Sequence, residues 1–367
     1  MNEALPAQLA STVAWGGFAL AFVFGAVANR TNFCTMGAVS DIVVMEDWNR
    51  MRMWLMALGI AILGTSGLQL AGAIDVSKSI YTAPTLTWLS HIVGGLLFGV
   101  GMTLASGCGS KTLLRIGTGN LKSLVVAIVM AITAYMSLRG LFAVFRVAAI
   151  DPVSIKLAVA QDLPSLLAGG TGVARGTLLV VSALVLGGGL LLFALRSREF
   201  RTFDNLLGAL VTGGVIVATW YLSGAVGHVM EDPQSLEEKF YATNSGRMES
   251  LSFVSPLAYS LELLMLWTDK TRVVTLGIAT SIGMCAGSFV YAVATRGFRL
   301  ESFRDARDLI NHLLGGVLMG FGGVLALGCT IGQGLAGMST LALGSFLTLV
   351  SIIAGQVLTM KWQYRNA

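Results

Sequence analysis

This sequence has few charged residues. Only 12% of its 367 residues are charged, whereas 55% are hydrophobic and the mean hydropathy is +0.77. A typical soluble domain is about a quarter charged, so the deficit excludes that class and predicts a polytopic membrane protein. The net charge of +5 does not indicate nucleic-acid binding. Lysine and arginine occur in short clusters between apolar runs, where they set membrane orientation.

Several functional motifs are also missing. The sequence has no Gly-x-x-x-x-Gly-Lys-Ser/Thr loop, so we expect that this chain does not use ATP. Its four cysteines form no Cys-x-x-Cys pair, and we expect neither a thioredoxin-like motif nor a zinc site. We therefore predict no cofactor and no metal. Lysine and arginine are absent before Arg30, so we do not expect a cleaved signal peptide.

Apolar runs near the ~20 residues needed to cross a bilayer occur nine times. They lie at about 11–28, 53–74, 91–107, 122–147, 176–196, 205–224, 272–294, 308–328 and 340–360. The sequence shows no separate soluble domain. We predict an all-α membrane protein in which residues 1–367 form one transport domain, with a first half at about 11–147 and a second at about 205–360.

Charged linkers predict the orientation. Segments 196–204 and 295–307 are rich in arginine, which is typical of cytoplasmic loops. Segment 225–250 is acidic and is predicted to be an outside loop with a short surface helix, and the polar segment 150–175 is predicted to lie on the membrane surface. Counting spans from these anchors places the N-terminus outside and the C-terminus inside.

One stretch occurs twice. Residues 91–108 return at 312–329 with a constant offset of 221, and ten of the eighteen positions are identical. Each copy is an apolar segment rich in small residues that ends in Gly-Cys and is followed by a short helix-prone segment, 109–117 or 330–338. We predict two broken helices that face each other. The span count makes the two copies run in opposite directions, which indicates an inverted duplication.

Broken helices suggest a function. Non-helical backbone is tolerated inside a bilayer only where protein buries it or a cavity hydrates it. Half-helices that begin near the midplane direct free N–H groups and partial positive charge at a common centre, which suits an anion. Transport of a small anionic solute is therefore the function that the pattern favours.

The cysteines are unequal. Cys108 and Cys329 occupy the same position in the two copies, just before a short helix. Cys34 ends a polar interruption directly after the first span, whereas Cys285 lies inside a continuous apolar run and is expected to be packing filler. Three of the four thiols are thus candidates for binding substrate.

Three motifs resemble the YeeE/YedE sulfur-transport family. They are Asn-Arg-Thr-Asn-Phe-Cys at 29–34, Gly-Gly-x-Leu-Phe-Gly-x-Gly…Gly-Cys-Gly at 94–109, and Gly-Cys-Thr-Ile-Gly-Gln-Gly-Leu-x-Gly-x-Ser at 328–339. The resemblance covers about residues 15 to 360. It implies a bacterial inner-membrane protein of the thiosulfate-uptake type, with an hourglass-like body and a route marked by Cys34, Cys108 and Cys329. It also implies a small cytoplasmic sulfur-carrier partner of the TusA type.

Further candidate residues surround the thiols. The predicted substrate-binding set adds Gly107, Gly109, Lys111, Gly328, Thr330, Gln333 and Arg30. Gln333 could donate to bound oxygens. Lys111 and Arg30 could attract an anion, or could reach the membrane surface as long basic side chains commonly do. His91 and His312 begin the repeated segments and are expected to pack or cap, with a proton relay as the lesser alternative.

Competing functions remain open at this point. A membrane thiol–disulfide enzyme would need paired cysteines, so we expect no enzyme. A passive anion channel uses the same half-helices, and related family members are linked to selenium metabolism.

Importing a dianion against the membrane potential costs about twice the ~2.3 kcal/mol per 100 mV of a single charge. Uptake must therefore be coupled to a cation or drawn by consumption inside.

Overall fold

Nine helices of the computed structural model are long and apolar enough to cross a membrane, counted over the residues that it describes. Those residues are 4–232, 236–269 and 271–365. The nine spans agree in number and order with the nine apolar runs, and the prediction of an all-α polytopic membrane protein is confirmed.

The spans and shorter helices alternate along the chain. The helices are α1 (Ala4–Arg30), α2 (Thr35–Met45), α3 (Asn49–Leu70), α4 (Trp88–Leu104), α5 (Gly109–Gly117), α6 (Leu121–Arg139), α7 (Leu141–Phe145), α8 (Leu163–Thr171), α9 (Arg175–Ser182), α10 (Gly189–Leu195), α11 (Phe203–Tyr221), α12 (Ser255–Met265), α13 (Leu276–Ala294), α14 (Ala306–Leu325) and α15 (Leu343–Arg365). A 3₁₀ turn covers Val76–Lys78, and π-helical turns cover Arg146–Ile150, Ala183–Gly188, Leu222–Val226 and Gly332–Gly337. In the part of the chain that the structure describes, four two-residue strands form two antiparallel pairs: β1 (Thr85–Leu86) with β2 (Ile155–Lys156), and β3 (His228–Val229) with β4 (Lys239–Phe240).

One predicted boundary and one predicted helix are wrong. The fourth apolar run was expected to continue to residue 147, but α6 ends at Arg139 because Gly140 adopts an extended conformation with φ −108° and ψ −154°. The surface helix expected in 225–250 is replaced, in the described part of that segment, by the β3–β4 pair. There the ring of His228 stacks on that of Phe240, its cross-strand partner, at 4.6 Å between centroids. Residues 233–235 lie outside the described residues.

The two repeated helices, α4 and α14, cross at the centre of the protein. A methyl group placed on Gly94 would lie 2.7 Å from the carbonyl oxygen of Gly322, and one placed on Gly315 would lie 2.6 Å from that of Gly101. Residue numbers rise along one helix as they fall along the other, so the helices are antiparallel. The offset of 221 converts Gly94 to Gly315 and Gly101 to Gly322, and thus exchanges the two contacts. Close approach of the backbones through small residues is how helices associate in lipid.

The helices that pack beside α4 and α14 are related by the same symmetry as the glycine contacts. Helix α4 packs along α15, which follows the second copy, and α14 packs along α6, which follows the first. Farther out, α1 packs on α13 and α3 on α11. The ends of the bundle are therefore distinct: the first residues of α4 lie at one end and the first residues of α14 at the other.

Candidate substrate site at the helix breaks

Both helix breaks use the same backbone conformation. Helix α4 ends at Leu104 and α14 ends at Leu325, three residues before Gly328. Two residues before each cysteine the chain adopts left-handed φ values, 55° at Ser106 and 57° at Leu327. Non-glycine residues rarely adopt that conformation, and such strain persists only where the surroundings over-determine it. The two breaks are thus one structural device used twice.

The first break brings two thiols together. Cys108 is fully buried, and its Sγ lies 3.2 Å from the hydroxyl of Ser110. Its thiol is also within interaction range of Cys34. Cys34 is the N-cap of α2, where its Sγ accepts a hydrogen bond from the N–H of Gly37 at 3.4 Å. The structure therefore places these two candidate residues side by side.

The second break continues the line of thiols. Cys329 is fully buried, and its Sγ accepts from the N–H of Gly332 at 3.4 Å. The next residue, Thr330, is also fully buried. Its hydroxyl makes no hydrogen bond within the described residues, and the Cys108 thiol lies within its reach. Cys329, Thr330, Cys108 and Cys34 thus follow one another through the core.

The predicted glycines differ in how tightly they are packed. A methyl group on Gly109 would find no atom nearer than 3.7 Å, whereas one on Gly107 would lie 3.4 Å from the side chain of Lys111. A methyl group on Gly328 would lie 3.2 Å from Gln333. Gly107 and Gly328 therefore leave room for their neighbours at the breaks, whereas a methyl group on Gly109 would make only ordinary van der Waals contacts with Phe253 and Met130.

Gln333 is engaged within the protein. Its amide nitrogen donates to the carbonyl oxygen of Ala326 at 2.6 Å, and its amide oxygen accepts from the hydroxyl of Ser345 at 2.5 Å. The side chain is fully buried. It therefore joins the end of α14 to the start of α15 and holds the second break in shape.

Basic side chains cluster near Cys34 and Cys108. Lys111 is half-buried and lies within electrostatic range of the thiols of Cys34 and Cys108 and of the guanidinium groups of Arg50 and Arg115. The guanidinium of Arg115 donates to the carbonyl oxygen of Ser106 at 2.7 Å. This end of the thiol line is positively charged, as an anion path requires.

A polar cavity opens at the same end of the bundle. It has a volume of about 460 Å³, and its lining includes Ser106, Arg115, Lys122, Glu301, Asp308 and His312. Ser106 is the exposed residue of the first break. The cavity therefore connects the start of α14 with the first break.

Three predicted residues lie away from the thiols. Arg30 is exposed and pairs with Asp204, Nε to Oδ1, at 2.9 Å. His91 is buried with Nδ1 2.8 Å from the hydroxyl of Thr348, and His312 places Nδ1 2.7 Å from a carbonyl oxygen one turn earlier in its own helix. His91 thus bonds to a neighbouring helix, His312 bonds within its own helix, and Arg30 makes a surface ion pair.

Two further side chains reach the second break from other segments. A methyl group on Gly332 would lie 2.9 Å from Ser252 Oγ and 3.3 Å from Tyr81 Oη. Sequence reasoning missed both residues, because a lone tyrosine and a lone serine in polar loops carry no motif. Their position beside Cys329 arises only from the fold.

The cysteines of this site are free thiols. All four are unbonded, and Cys285 donates to the carbonyl oxygen of Leu113 at 3.4 Å. Within the ranges that the structure describes, no group of three or more histidine, cysteine or acidic side chains could hold a metal ion.

Comparison with known proteins identifies the family. A family model described as sulphur transport matches residues 30–358. The chain is 29% identical to the thiosulfate transporter TsuA of Escherichia coli (strain K12), over 93% of this chain and 91% of that protein. It is 25% identical to the thiosulfate transporter TsuA of Spirochaeta thermophila, over 95% of this chain and 98% of that protein. The chain belongs to the sulphur transport family.

Proposed function

We propose that this protein carries thiosulfate, a small dianion with a soft terminal sulfur, across the bacterial inner membrane. The observation that carries the proposal is the buried line of Cys329, Thr330, Cys108 and Cys34 between two helix breaks. The names of the two relatives support thiosulfate as the substrate.

The chemistry of the line suits a substrate that must leave each position again. A neutral thiol donates a weak hydrogen bond, which can hold the terminal sulfur of thiosulfate briefly. Successive thiols then act as exchangeable stations. Sulfate offers only hard oxygen atoms, so it would gain less from thiols and more from backbone N–H groups. A selenium analogue has a similarly soft end atom and is the second candidate substrate.

We propose further that the two halves are inverted across the membrane. The antiparallel crossing of α4 and α14 and the exchange of their glycine contacts support this. The arginine-rich segments 196–204 and 295–307 then lie in the cytoplasm. Lys111 and the polar cavity lie on the cytoplasmic side of the protein. The N-terminus is outside and the C-terminus inside. A TusA-type sulfur carrier would meet the arginine-rich loops, and lipid would cover the apolar surface.

Complementation tests the function. Expressed in a bacterium that lacks sulfate and thiosulfate uptake, this protein should restore growth on thiosulfate as the sulfur source, because it supplies the missing transport step. Vesicles from the same cells should take up radiolabelled thiosulfate with saturation at micromolar concentration. The control is empty vector. No growth with the protein present in the membrane contradicts thiosulfate transport, and uptake that never saturates indicates a channel.

The same cells test direction and partner. Reporter fusions should place segment 225–250 outside and segments 196–204 and 295–307 inside, and the opposite result rejects the inverted arrangement. Co-expression of a TusA-type protein should increase growth on limiting thiosulfate if it receives the sulfur. Equal growth with and without it, when it is shown to be produced, argues against that partner.

A further inference from the structure

Tyr81 is a buried residue outside the line of Cys329, Thr330, Cys108 and Cys34. It is 2% exposed, and its hydroxyl has no hydrogen-bond partner among residues 4–232, 236–269 and 271–365. Leaving a buried hydroxyl unpartnered costs on the order of 1–3 kcal/mol. A tyrosine is tolerated there when its hydroxyl serves a ligand or water.

The position of Tyr81 is held firmly by its surroundings. Its backbone N–H donates to the hydroxyl of Ser79 at 3.3 Å, and Ile80 N–H donates to the carbonyl oxygen of Met248 at 3.4 Å. The ring meets that of Trp220 edge to face at 6.1 Å. A rigid loop thus presents the hydroxyl in one direction.

That direction is the second break. Tyr81 Oη and Ser252 Oγ both lie within 3.3 Å of the point where a methyl group on Gly332 would be. The N–H of Gly332 donates to Cys329 Sγ at 3.4 Å. Two hydroxyls from different segments therefore converge on the glycine that touches the thiol, and the missing side chain of Gly332 leaves their approach open.

We infer that Tyr81 and Ser252 form a binding station for the oxyanion end of the substrate, at the outer end of the thiol line. The inference rests on the proposed function. Hydroxyls are hard donors that suit sulfonate oxygens, whereas Cys329 suits the terminal sulfur. The station therefore orients the dianion with its sulfur toward Cys329 and its oxygens toward Tyr81 and Ser252.

Kinetics of Tyr81→Phe test the inference. The variant removes only the hydroxyl and keeps the ring contact with Trp220. In proteoliposomes the KM for thiosulfate should rise about tenfold with little change in maximal rate, because a hydrogen bond to a charged group is lost. Ser252→Ala should raise KM in the same direction. The matched control is Tyr241→Phe, since the buried Tyr241 hydroxyl is already bonded to Asp232 at 2.7 Å; its KM should equal that of the wild type.

The outcomes separate the station from the function. If the wild type takes up thiosulfate and Tyr81→Phe has the same KM, the hydroxyl holds only water and the inference is overturned. If the wild type takes up no thiosulfate, the proposed function itself fails. Should Tyr81→Phe not accumulate in the membrane, Ser252→Ala decides, because it reaches the same point from another segment; an unchanged KM there overturns the station.

Discussion

The two helix breaks share a backbone but differ in their partners. Ser106 and Leu327 adopt the same left-handed conformation, and each break ends in a buried cysteine. Yet Cys108 meets a second thiol, Cys34, whereas Cys329 lies beside Gly332 and the hydroxyls that converge on it. The duplicated segments thus supply the backbone geometry and one thiol each, and segments outside the repeat supply the groups that differ between the two breaks.

The partner segments have their own correspondence. Helices α2 and α12 both have eleven residues, and each begins after a phenylalanine and an N-cap residue: Phe33 and Cys34 for α2, Phe253 and Val254 for α12. Val254 is fully buried and packs against Gly323. A valine therefore stands where symmetry would place a fourth thiol, so the proposed route has two thiols in its inner half and one in its outer half.

The two ends of the bundle differ as well. His312 lines the open polar cavity beside the first break. Its counterpart His91 is 2% exposed, because the segment before α8 covers it. There the side chain of Gln161 accepts from Gly344 N–H at 3.2 Å and its carbonyl oxygen accepts from Leu343 N–H at 3.0 Å. His312 is itself only 7% exposed, so the two ends differ in what adjoins the histidine: a polar cavity at one end and a packed segment at the other.

The largest expected effect is loss of the thiols. Cys108→Ala and Cys329→Ala should each reduce thiosulfate uptake to the level of empty vesicles, because each removes a station from the line. Cys34→Ala should be damaging too. Uptake by membrane vesicles, normalised to protein detected in the membrane, measures the effect.

Cys285 provides the control for that experiment. Its thiol donates to the carbonyl oxygen of Leu113, and Cys285→Ala should retain nearly full uptake. Serine variants of Cys108 and Cys329 distinguish the volume of the side chain from its soft S–H donor. They should lose thiosulfate uptake if the S–H donor matters and retain it if only the volume does. Full uptake by both alanine variants would mean that the breaks alone carry the substrate.

The sequence predicts the secondary-structure elements better than the contacts between them. Nine spans and the repeat were readable because hydrophobic length and small-residue spacing are local properties. The approach of Cys34 to Cys108 joins residues that are distant in sequence, so only tertiary structure reveals it. Gln333 stays a predicted donor to substrate oxygens, and the structure adds its hydrogen bonds with Ala326 and Ser345, which join two helices through contacts that no motif encodes.

A smaller effect is expected from crowding the central crossing. Gly94→Ala would place a methyl group 2.7 Å from the carbonyl oxygen of Gly322, and Gly315→Ala would place one 2.6 Å from that of Gly101. Overpacking of this kind costs roughly 1–3 kcal/mol. Because the offset of 221 converts Gly94 to Gly315 and exchanges these two contacts, the two variants should lower the thermal midpoint in detergent by similar amounts.

Gly214 provides the control for the crossing. It lies within α11, and a methyl group there would find no atom within 4 Å among the described residues. Gly214→Ala should leave stability unchanged or raise it by about 0.5–1 kcal/mol, since alanine favours helix over glycine. If one crossing variant is tolerated as well as this control, the two contacts are not equivalent and the symmetry of the crossing is only apparent.

The smallest expected effect concerns the end of the bundle that holds His91. Glu238, beside β4, pairs with Lys78, which lies close in sequence to Tyr81, and with His228 at 2.5 Å. The Lys78 ammonium, with His228, holds the pKa of the Glu238 carboxyl below its ordinary value of 4.5. The pairing therefore stabilises the fold above that pH and is lost as the pH falls through the lowered value. Glu238→Gln should lower the thermal midpoint by about 1–2 °C at pH 7, as expected for a largely solvated ion pair, and by less at pH 4. If the difference in thermal midpoint is the same at both pH values, the contact acts through shape rather than charge. The ion pair between Glu238 and Lys78 then does not stabilise this end of the bundle.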